Sequence, residues 1–431
     1  MPYRLLRLLY LNIPDAHKVN IFGGMEMRIL VQKFGGTSLS SPQAREHVIS
    51  HIKRELDENY NLVVVVSAMG RRGEPYATDT LLEWIVQNGD ALPDREKDLL
   101  LCCGEIISAT TLCSLLEREG ISSTVLTGAQ AGFQTDDHHG NARILDVRPE
   151  RIIEEFKNHK VVIVTGFQGQ TTSGDFTTLG RGGSDTSATA LGAALHAEMV
   201  DIYTDVNGVL TADPRIVEDA KPLAIVSYAE ICNMAYQGAK VIHPRAVEIA
   251  MQAQIPVRIR STFSESEGTL VTHPEGFRDV QSGVVDRFVT GIAYVSNVTQ
   301  ITVDCSEGPS NLQLKVFRSM AENSISVDFI NITPTDAVYT VFDHESERAL
   351  TVLQEMGLRP KSLSGCAKVS VIGGGINGVP GIMAKIVESL TEQNIQILQS
   401  ADSNTTIWVL VKKEDMVQSL RSLHTEFELN R

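Results

Sequence analysis

The chain has 431 residues, 42% of them hydrophobic and 21% charged, which is an ordinary globular composition with length for two or three domains of roughly 100–200 residues. A net charge of −15 argues against nucleic acid and anionic membrane as partners, although a local cationic pocket for an anionic substrate remains compatible with it. Six cysteines (Cys102, Cys103, Cys113, Cys232, Cys305 and Cys366) show no paired metal-ligand spacing and read as reduced, mostly buried residues of a cytoplasmic protein.

Met1–Ile13 is leucine-rich with Arg4 and Arg7, but Pro14 and Asp15 cut it short and no small-residue cleavage site follows, so an export signal is not expected. The first strand begins near Met27. Residues 1–26 therefore read as a non-native or disordered extension, with the natural start at Met25 or Met27. A membrane span needs about 20 apolar residues, and none is read in the chain.

The apolar run Ile29-Leu30-Val31 leads into Lys33-Phe-Gly-Gly-Thr-Ser38. Two glycines let backbone N–H groups approach a ligand, and Lys33 adds a compact positive charge. Gln43–Leu56 follows with apolar residues at Ala44, Val48, Ile52 and Leu56, a helical period. A strand, a glycine turn and a helix in that order make a phosphate site, although a plain tight turn with a surface lysine has the same pattern. Leu62–Val66 reads as the next strand and ends in Ser67-Ala-Met-Gly70.

A long helix is expected over Asp94–Glu119, with strands at Ser123–Leu126 and Val161–Thr165. Thr177-Thr-Leu-Gly-Arg-Gly-Gly-Ser-Asp-Thr-Ser187 then opens a helix over Ser184–His196. Ser184 or Asp185 could simply cap that helix. Capping leaves Arg181 and the pair Gly182-Gly183 unexplained, whereas a carboxylate-binding guanidinium beside bare backbone explains all of them. Met199–Thr204 reads as a strand. The Asn207-Gly208 turn and Asp213-Pro-Arg215 after it make a rigid loop, either a connection or a wrap around a nucleotide. Two helical pieces lead to a strand at Val257–Arg260. Strands alternating with helices argue an α/β domain with a mostly parallel sheet, with Lys33, Ser67, Gly166 and Thr204 on one rim at strand C-termini.

Ser264–Gly283 is rich in Ser, Glu, Gly, Thr and His and reads as connecting chain, with the linker set at 274–287. A weak repeat follows. The first unit, about 298–364, has strands at Thr299–Asp304, Ser326–Ile332 and Val338–Phe342 and helices at Asn311–Asn323 and Glu345–Met356. The second, about 365–431, has strands at Ala367–Ile372, Ile395–Ser400 and Thr406–Val411 and helices at Gly381–Gln393 and Asp415–Phe427. Each lacks one strand of a ferredoxin-like unit. Phe288–Val295 is expected to close the second unit's sheet, so that the two interleave. Gly373-Gly-Gly-Ile-Asn-Gly378 matches a dinucleotide fingerprint, but fewer than 60 residues follow it, and Pro380 is read as the start of a helix.

Neither a Gly-x-x-x-x-Gly-Lys-[Ser/Thr] loop nor a His-Arg-Asp or Asp-Phe-Gly set is present. Eight segments in order instead resemble the amino-acid-kinase family and, within it, the aspartokinase branch. They are Lys33–Ser38, Ser67–Gly70, Cys103-Gly-Glu105, Gly166-Phe-Gln-Gly169, Gly180-Arg-Gly-Gly-Ser-Asp185, Tyr203-Thr-Asp-Val206, Ala212-Asp-Pro-Arg215 and Gly238-Ala-Lys-Val-Ile-His-Pro244. The terminal repeat resembles paired ACT domains, which sense amino acids. Gln399-Ser-Ala-Asp-Ser403 and the overall length are most similar to the diaminopimelate-sensitive group.

The resemblance implies an amino-acid-kinase fold over 27–273, a parallel sheet sandwiched by helices, followed over 288–431 by two interleaved βαββαβ ACT domains. It implies ATP-dependent phosphorylation of the L-aspartate β-carboxylate, with Mg²⁺ accompanying ATP. Lys33 and Asp185 would be catalytic. Ser67, Thr78, Glu105, Arg181, Gly182, Gly183 and Ser184 would surround aspartate, with Arg181 on its α-carboxylate. Lys33, Phe34, Gly35, Gly36, Thr204, Asp205, Leu210, Asp213, Arg215 and Lys240 would surround ATP. Leu210 stands where the family often has an aromatic. Asp328, Asn331, Ser400 and Asp402 are candidates for an effector pocket taking diaminopimelate, lysine or threonine, although polar strand ends would look the same. The first unit's turn, Cys305-Ser-Glu-Gly-Pro309, departs from the usual Asp-x-Pro-Gly. The resemblance also implies a homo-oligomer through the ACT domains, or an α2β2 assembly whose smaller subunit starts at Met251. The alternatives are a kinase for glutamate, acetylglutamate or a nucleotide, and a non-catalytic amino-acid sensor.

Overall fold

The computed structural model describes residues 27–89, 91–239, 241–273, 288–306, 311–376 and 378–431. The extension expected at 1–26, the linker expected at 274–287 and Lys240 lie outside these residues, as does part of the Cys305–Pro309 turn. The chain forms two compact units. The first takes the chain up to Val209, Pro222–Ala235 and the stretch from 241 to 273. The second takes Leu210–Lys221, Tyr236–Ala239 and everything from 288 onward. The division therefore departs from a simple boundary near 273: two short stretches of the earlier region belong to the later unit.

The first unit begins with β1 (Ile29–Phe34), α1 (Gly36–Leu39), α2 (Pro42–Asp57), β2 (Asn61–Val66), α3 (Thr78–Gln87) and α4 (Asp94–Arg118). It continues with β3 (Ser123–Leu126), β4 (Phe133–Thr135), β5 (Ile144–Val147), α5 (Glu150–Glu155), β6 (Val161–Thr165), β7 (Gln168–Gln170), β8 (Phe176–Thr178) and α6 (Gly183–Ala194). It ends with β9 (Met199–Thr204), β10 (Ile225–Ser227), α7 (Tyr228–Tyr236), α8 (Pro244–Ala253), β11 (Val257–Ser261) and β12 (Thr269–Thr272). β12 falls inside the stretch 264–283 read as connecting chain, because Thr-Leu-Val-Thr is too short a run to stand out.

Eight strands make one sheet in the order β10-β12-β11-β9-β1-β2-β6-β3, parallel throughout except between β11 and β12. Strands β2 and β6 are buried at every position, as continuous Val/Ile runs covered on both faces must be. Val48 and Ile52 of α2 and Leu112 and Leu116 of α4 pack with Phe34, Leu62, Val64 and Val66 on one face. On the other face α6 crosses β9 so closely that a Cβ on Gly192 would lie 2.4 Å from a Val200 methyl. A second sheet, β5-β4-β7-β8, is built of strands of three or four residues that show no period in the sequence. α4 corrects one expectation: among the described residues it is long and apolar enough to cross a membrane. Here Ala109, Leu112 and Leu116 are fully buried in the core, and the same helix carries Glu105.

The second unit contains β13 (Gly291–Asp304), α9 (Leu312–Glu322), β14 (Asp328–Ile332), β15 (Asp336–Phe342), α10 (Asp343–Glu355), β16 (Lys361–Ile372), α11 (Ile382–Glu392), β17 (Gln399–Asp402), β18 (Thr406–Lys412) and α12 (Met416–Glu426). Its antiparallel sheet runs β14-β15-β13-β16-β18-β17. The strand expected to close the second repeat is the first half of β13, which pairs from Gly291↔Ile372 to Ser296↔Ala367. It continues without a break into the first repeat's own strand, with a register shift at Ser296/Val298 and Asn297 at φ 61°. In return, Lys361–Leu363 of β16 pairs with the second half of β13, supplying the first repeat's missing strand. The repeats interleave by sharing two long strands. α11 starts at Ile382 behind Gly381 at φ +95°, two residues after the Pro380 read as its start.

Candidate active site

Lys33 lies near the end of β1, in register with Val65 of β2 and Ile202 of β9. Strand alternation points it away from α2, toward α6. There Nζ stands 2.7 Å from Asp185 Oδ1, each side chain 13% exposed. The next residue, Phe34, is fully buried and stacks on Tyr203 with ring centroids 4.5 Å apart. Its ring therefore anchors the turn in the core and offers no surface to a ligand. Gly35 is extended and Gly36 begins α1.

A Cβ on Gly36 would lie 2.6 Å from the carbonyl oxygens of both Ala68 and Gly70. The Gly70 N–H donates to Gly36 O at 3.0 Å, and the Ser67 N–H to Phe34 O at 3.1 Å. Ser67–Gly70 is thus latched to the glycine turn, which explains why a side chain is excluded there. Ala68 also links the turn to Glu105, whose Oε1 accepts its N–H at 3.1 Å. Burial pushes the Glu105 carboxyl up to about 8, against the pull of backbone N–H groups, and Oε2 accepts no hydrogen bond among the described residues. Gly104 lets α4 approach: a Cβ there would meet Ala68 Cβ at 2.8 Å and Tyr76 O at 2.9 Å. Thr78, half-buried, opens α3 just beyond.

The second segment leaves β8 and turns sharply, with Gly180 at φ +75° and Gly182 at φ +70°. A Cβ on Gly182 would lie 2.2–2.5 Å from atoms of the His243 side chain, and one on Gly183 2.7 Å from the Phe167 ring. Gly182 is the N-cap of α6 and no side chain caps that helix. Capping by Ser184 or Asp185 is thereby excluded. Ser184 is buried against Gly166, and Asp185 is committed to Lys33 and to the His243 N–H, which reaches Oδ2 at 3.3 Å. Arg181 is exposed and has no ion-pair or hydrogen-bond partner among the described residues. Its guanidinium fork is available to a planar carboxylate.

In the motif ending in His243-Pro244 the residue expected at the site is Lys240, which lies outside the described residues. His243 is an addition that the sequence pattern does not place: the ring rests on Gly182 and the backbone holds Asp185. Burial lowers its pKa below the ordinary histidine value, with Asp185 pulling the other way. The signal was the lone histidine among the conspicuous motifs.

Thr204 closes β9 on the same edge as Lys33, Ser67 and Gly166, because β9, β1, β2 and β6 are parallel neighbours. Its Oγ1 donates to Asp205 Oδ1 at 3.2 Å, and Arg71 Nη2 reaches Asp205 Oδ2 at 2.6 Å. Leu210, Asp213 and Arg215 belong to the second unit. There Arg215 clasps Asp213 through Nε at 2.9 Å and Nη2 at 2.6 Å, which holds the Asp213 carboxyl below its ordinary pKa.

Of the effector candidates, Asp328 and Asn331 sit on β14 and Ser400 and Asp402 on β17, the outermost strands of the ladder. The sheet curls enough for Gln399 Nε2 to donate to Phe329 O at 2.6 Å. Asp328 pairs with the buried Lys368.

Residues 28–261 match the model of the amino acid kinase family, and residues 361–425 match an ACT domain. Aspartokinase 1 of Bacillus subtilis is 56% identical over 405 residues, covering 94% of this chain and 100% of that protein. The crystal structure of E. coli aspartokinase III in complex with aspartate and ADP is 26% identical at a TM-score of 0.75, covering 93% of this chain and 99% of that one. The structure of E. coli aspartokinase III in complex with lysine and aspartate is 26% identical at a TM-score of 0.71, with the same coverage.

Proposed function

The chain belongs to the amino acid kinase family, within it to the aspartokinases, and on that premise we propose the site through which it phosphorylates the β-carboxylate of L-aspartate from ATP. The ion pair of Lys33 with Asp185 carries the reading. It brings the glycine turn of one segment against the Arg-Gly-Gly loop of another, so a cation for phosphates and a free guanidinium for a carboxylate share one rim.

In the reaction, an oxygen of the β-carboxylate forms a bond to the γ-phosphorus of ATP. The bond from that phosphorus to the bridging oxygen breaks, and ADP leaves with the electron pair. The nucleophile is already ionised at pH 7, so no general base is needed. Catalysis is alignment plus neutralisation of charge on the phosphoryl oxygens. Lys33 and the backbone of Gly35 and Gly36 face those oxygens, and Asp185 holds Lys33 in place. Arg181 takes the α-carboxylate of aspartate and Glu105 its ammonium, with Ser67, Thr78, Gly182, Gly183 and Ser184 shaping the space between. Thr204 and Asp205 line the nucleotide side.

Among the described residues no three His, Cys, Asp or Glu side chains stand together as a metal cage. Mg²⁺ is typically held by one or two carboxylates together with phosphates and water. The donor set fits an ion that enters on ATP, with Asp205 the carboxylate at hand. When bound, it would neutralise phosphate charge.

The second unit reads as an amino-acid sensor that adjusts the rate of this first step toward lysine, diaminopimelate, threonine and methionine. Its effector is lysine, threonine or diaminopimelate, with Asp328, Asn331, Ser400 and Asp402 as contacts. Copies associate through it, either as whole chains or with a subunit started at Met251, in the cytoplasm. Hydroxylamine trapping tests the acceptor: aspartate alone should give a hydroxamate, and equal trapping with glutamate or acetylglutamate, consumption of UMP, or no turnover would overturn the reading.

A further inference from the structure

We propose that Thr262 is a positioning residue for phosphoryl transfer, its hydroxyl bonded to that of Ser38 so that the glycine turn is fixed against the end of β9. The inference rests on the reading that this turn faces the phosphates. Ser38 Oγ and Thr262 Oγ1 are 2.7 Å apart, and both residues are fully buried. Neither can touch a ligand; each acts through what it holds.

Ser38 belongs to α1, and its N–H donates to Gly35 O at 3.0 Å, so its position sets that of Gly35 and Gly36. Thr262 follows β11 directly, and its N–H donates to Thr204 O at 2.9 Å. Its carbonyl oxygen lies 2.9 Å from Nε2 of His51 on α2. A carbonyl only accepts, so Nε2 carries the proton. Burial drives His51 down to about 4, which keeps the ring neutral and this tautomer in place at pH 7. One residue therefore fastens the phosphate-facing turn, the strand end carrying Thr204, and the helix that follows the turn.

The hydroxyl pair is the link in this bracket made by Thr262's own side chain, since the other two use its backbone. Removing either hydroxyl leaves its partner buried without a hydrogen bond. Small misplacements of groups that align reactants are costly, on the order of a hundredfold for about 1 Å.

The test compares Thr262→Val, Thr262→Ser, Ser38→Ala and the double variant Ser38→Ala/Thr262→Val. Calorimetric titration with ATP and steady-state kinetics in both substrates are the readouts. Thr262→Val and Ser38→Ala should each lower kcat about tenfold and weaken ATP, while aspartate KM stays within about twofold. The double variant should be no worse than either single one, because the two hydroxyls form one interaction. Thr262→Ser should restore kcat and ATP affinity. Additive losses, or a Thr262→Val protein that binds and turns over ATP like wild type, would overturn the role of Thr262 alone. Wild-type protein that fails to bind ATP would overturn the reading of the turn along with it.

Discussion

Lys33 Nζ stands 2.7 Å from Asp185 Oδ1, which ties the end of β1 to the first turn of α6 across about 150 residues of chain. The two side chains are largely shielded, so their attraction is stronger than that of a surface pair. The pair orients the ammonium, and on the proposed reading its remaining donors meet an incoming phosphate.

Lys33→Met should lower kcat by about 10²–10³-fold, the range found when one preorganised charge-stabilising donor is lost. Asp185→Asn keeps the shape but releases Lys33, and about a tenfold loss in kcat is expected. Steady-state rates at saturating substrates check both.

The Gly182 position should be intolerant for two reasons that can be separated. Its φ of +70° disfavours any side chain, and a methyl group would collide with the His243 side chain. Gly182→Ala is expected to lower kcat/KM for aspartate at least about tenfold. Adding His243→Gly removes the collision, Cβ included, but not the backbone strain, so the double variant should recover only part of that loss.

These contacts show what the sequence could reveal. The parallel sheet and Lys33 were legible because each rests on a local pattern: a buried Val/Ile run, or glycines behind a strand. The role of His243 was not, since it depends on an approach between residues 182 and 243. Leu210, Asp213 and Arg215 show the same limit. They read as a nucleotide loop, yet the stretch 210–221 packs Ala212 and Val217 into the core of α11, α12 and β16. Thr211 Oγ1 is 2.9 Å from Nε2 of His424, some two hundred positions away, and no local period announces such a partner.

Glu105 gives the site a pH signature. Its carboxyl, raised to about 8 by burial, is protonated in the empty site at neutral pH, whereas an ammonium ligand requires it ionised. Apparent aspartate affinity should therefore rise with pH up to about 8 and then level, and Glu105→Gln should remove that dependence. Stability moves the other way. Between the unfolded value near 4.5 and the folded value near 8, the native state holds a proton that the unfolded state has lost. The favourable contribution is complete below the lower value and disappears as pH rises through the upper one. Denaturation of the ligand-free protein at pH 6 and pH 9, beside Glu105→Gln, checks the sign.

His424 offers a stability test of the second unit. It is fully buried, its pKa is lowered by burial, and Asp219 Oδ1 lies 3.7 Å from Nδ1. A lowered histidine pKa stabilises above the unfolded value near 6.5 and loses that contribution as pH falls through the folded one. His424→Ala should destabilise the unit by about 2–4 kcal/mol through lost packing and the lost hydrogen bond to the Thr211 hydroxyl. Chemical denaturation followed by Trp408 fluorescence would read this out.

The proposed division of labour is that Lys33 serves the phosphoryl side and Arg181 the aspartate side of one site. Its most direct test is Arg181→Ala titrated separately with aspartate and with ATP, beside Lys33→Met. Losing one partner of a desolvated charge pair costs roughly 2–5 kcal/mol, so kcat/KM for aspartate should fall about 30-fold or more. This loss should appear as a raised aspartate KM with ATP KM nearly unchanged, while Lys33→Met loses kcat. An unchanged aspartate KM in Arg181→Ala would contradict it.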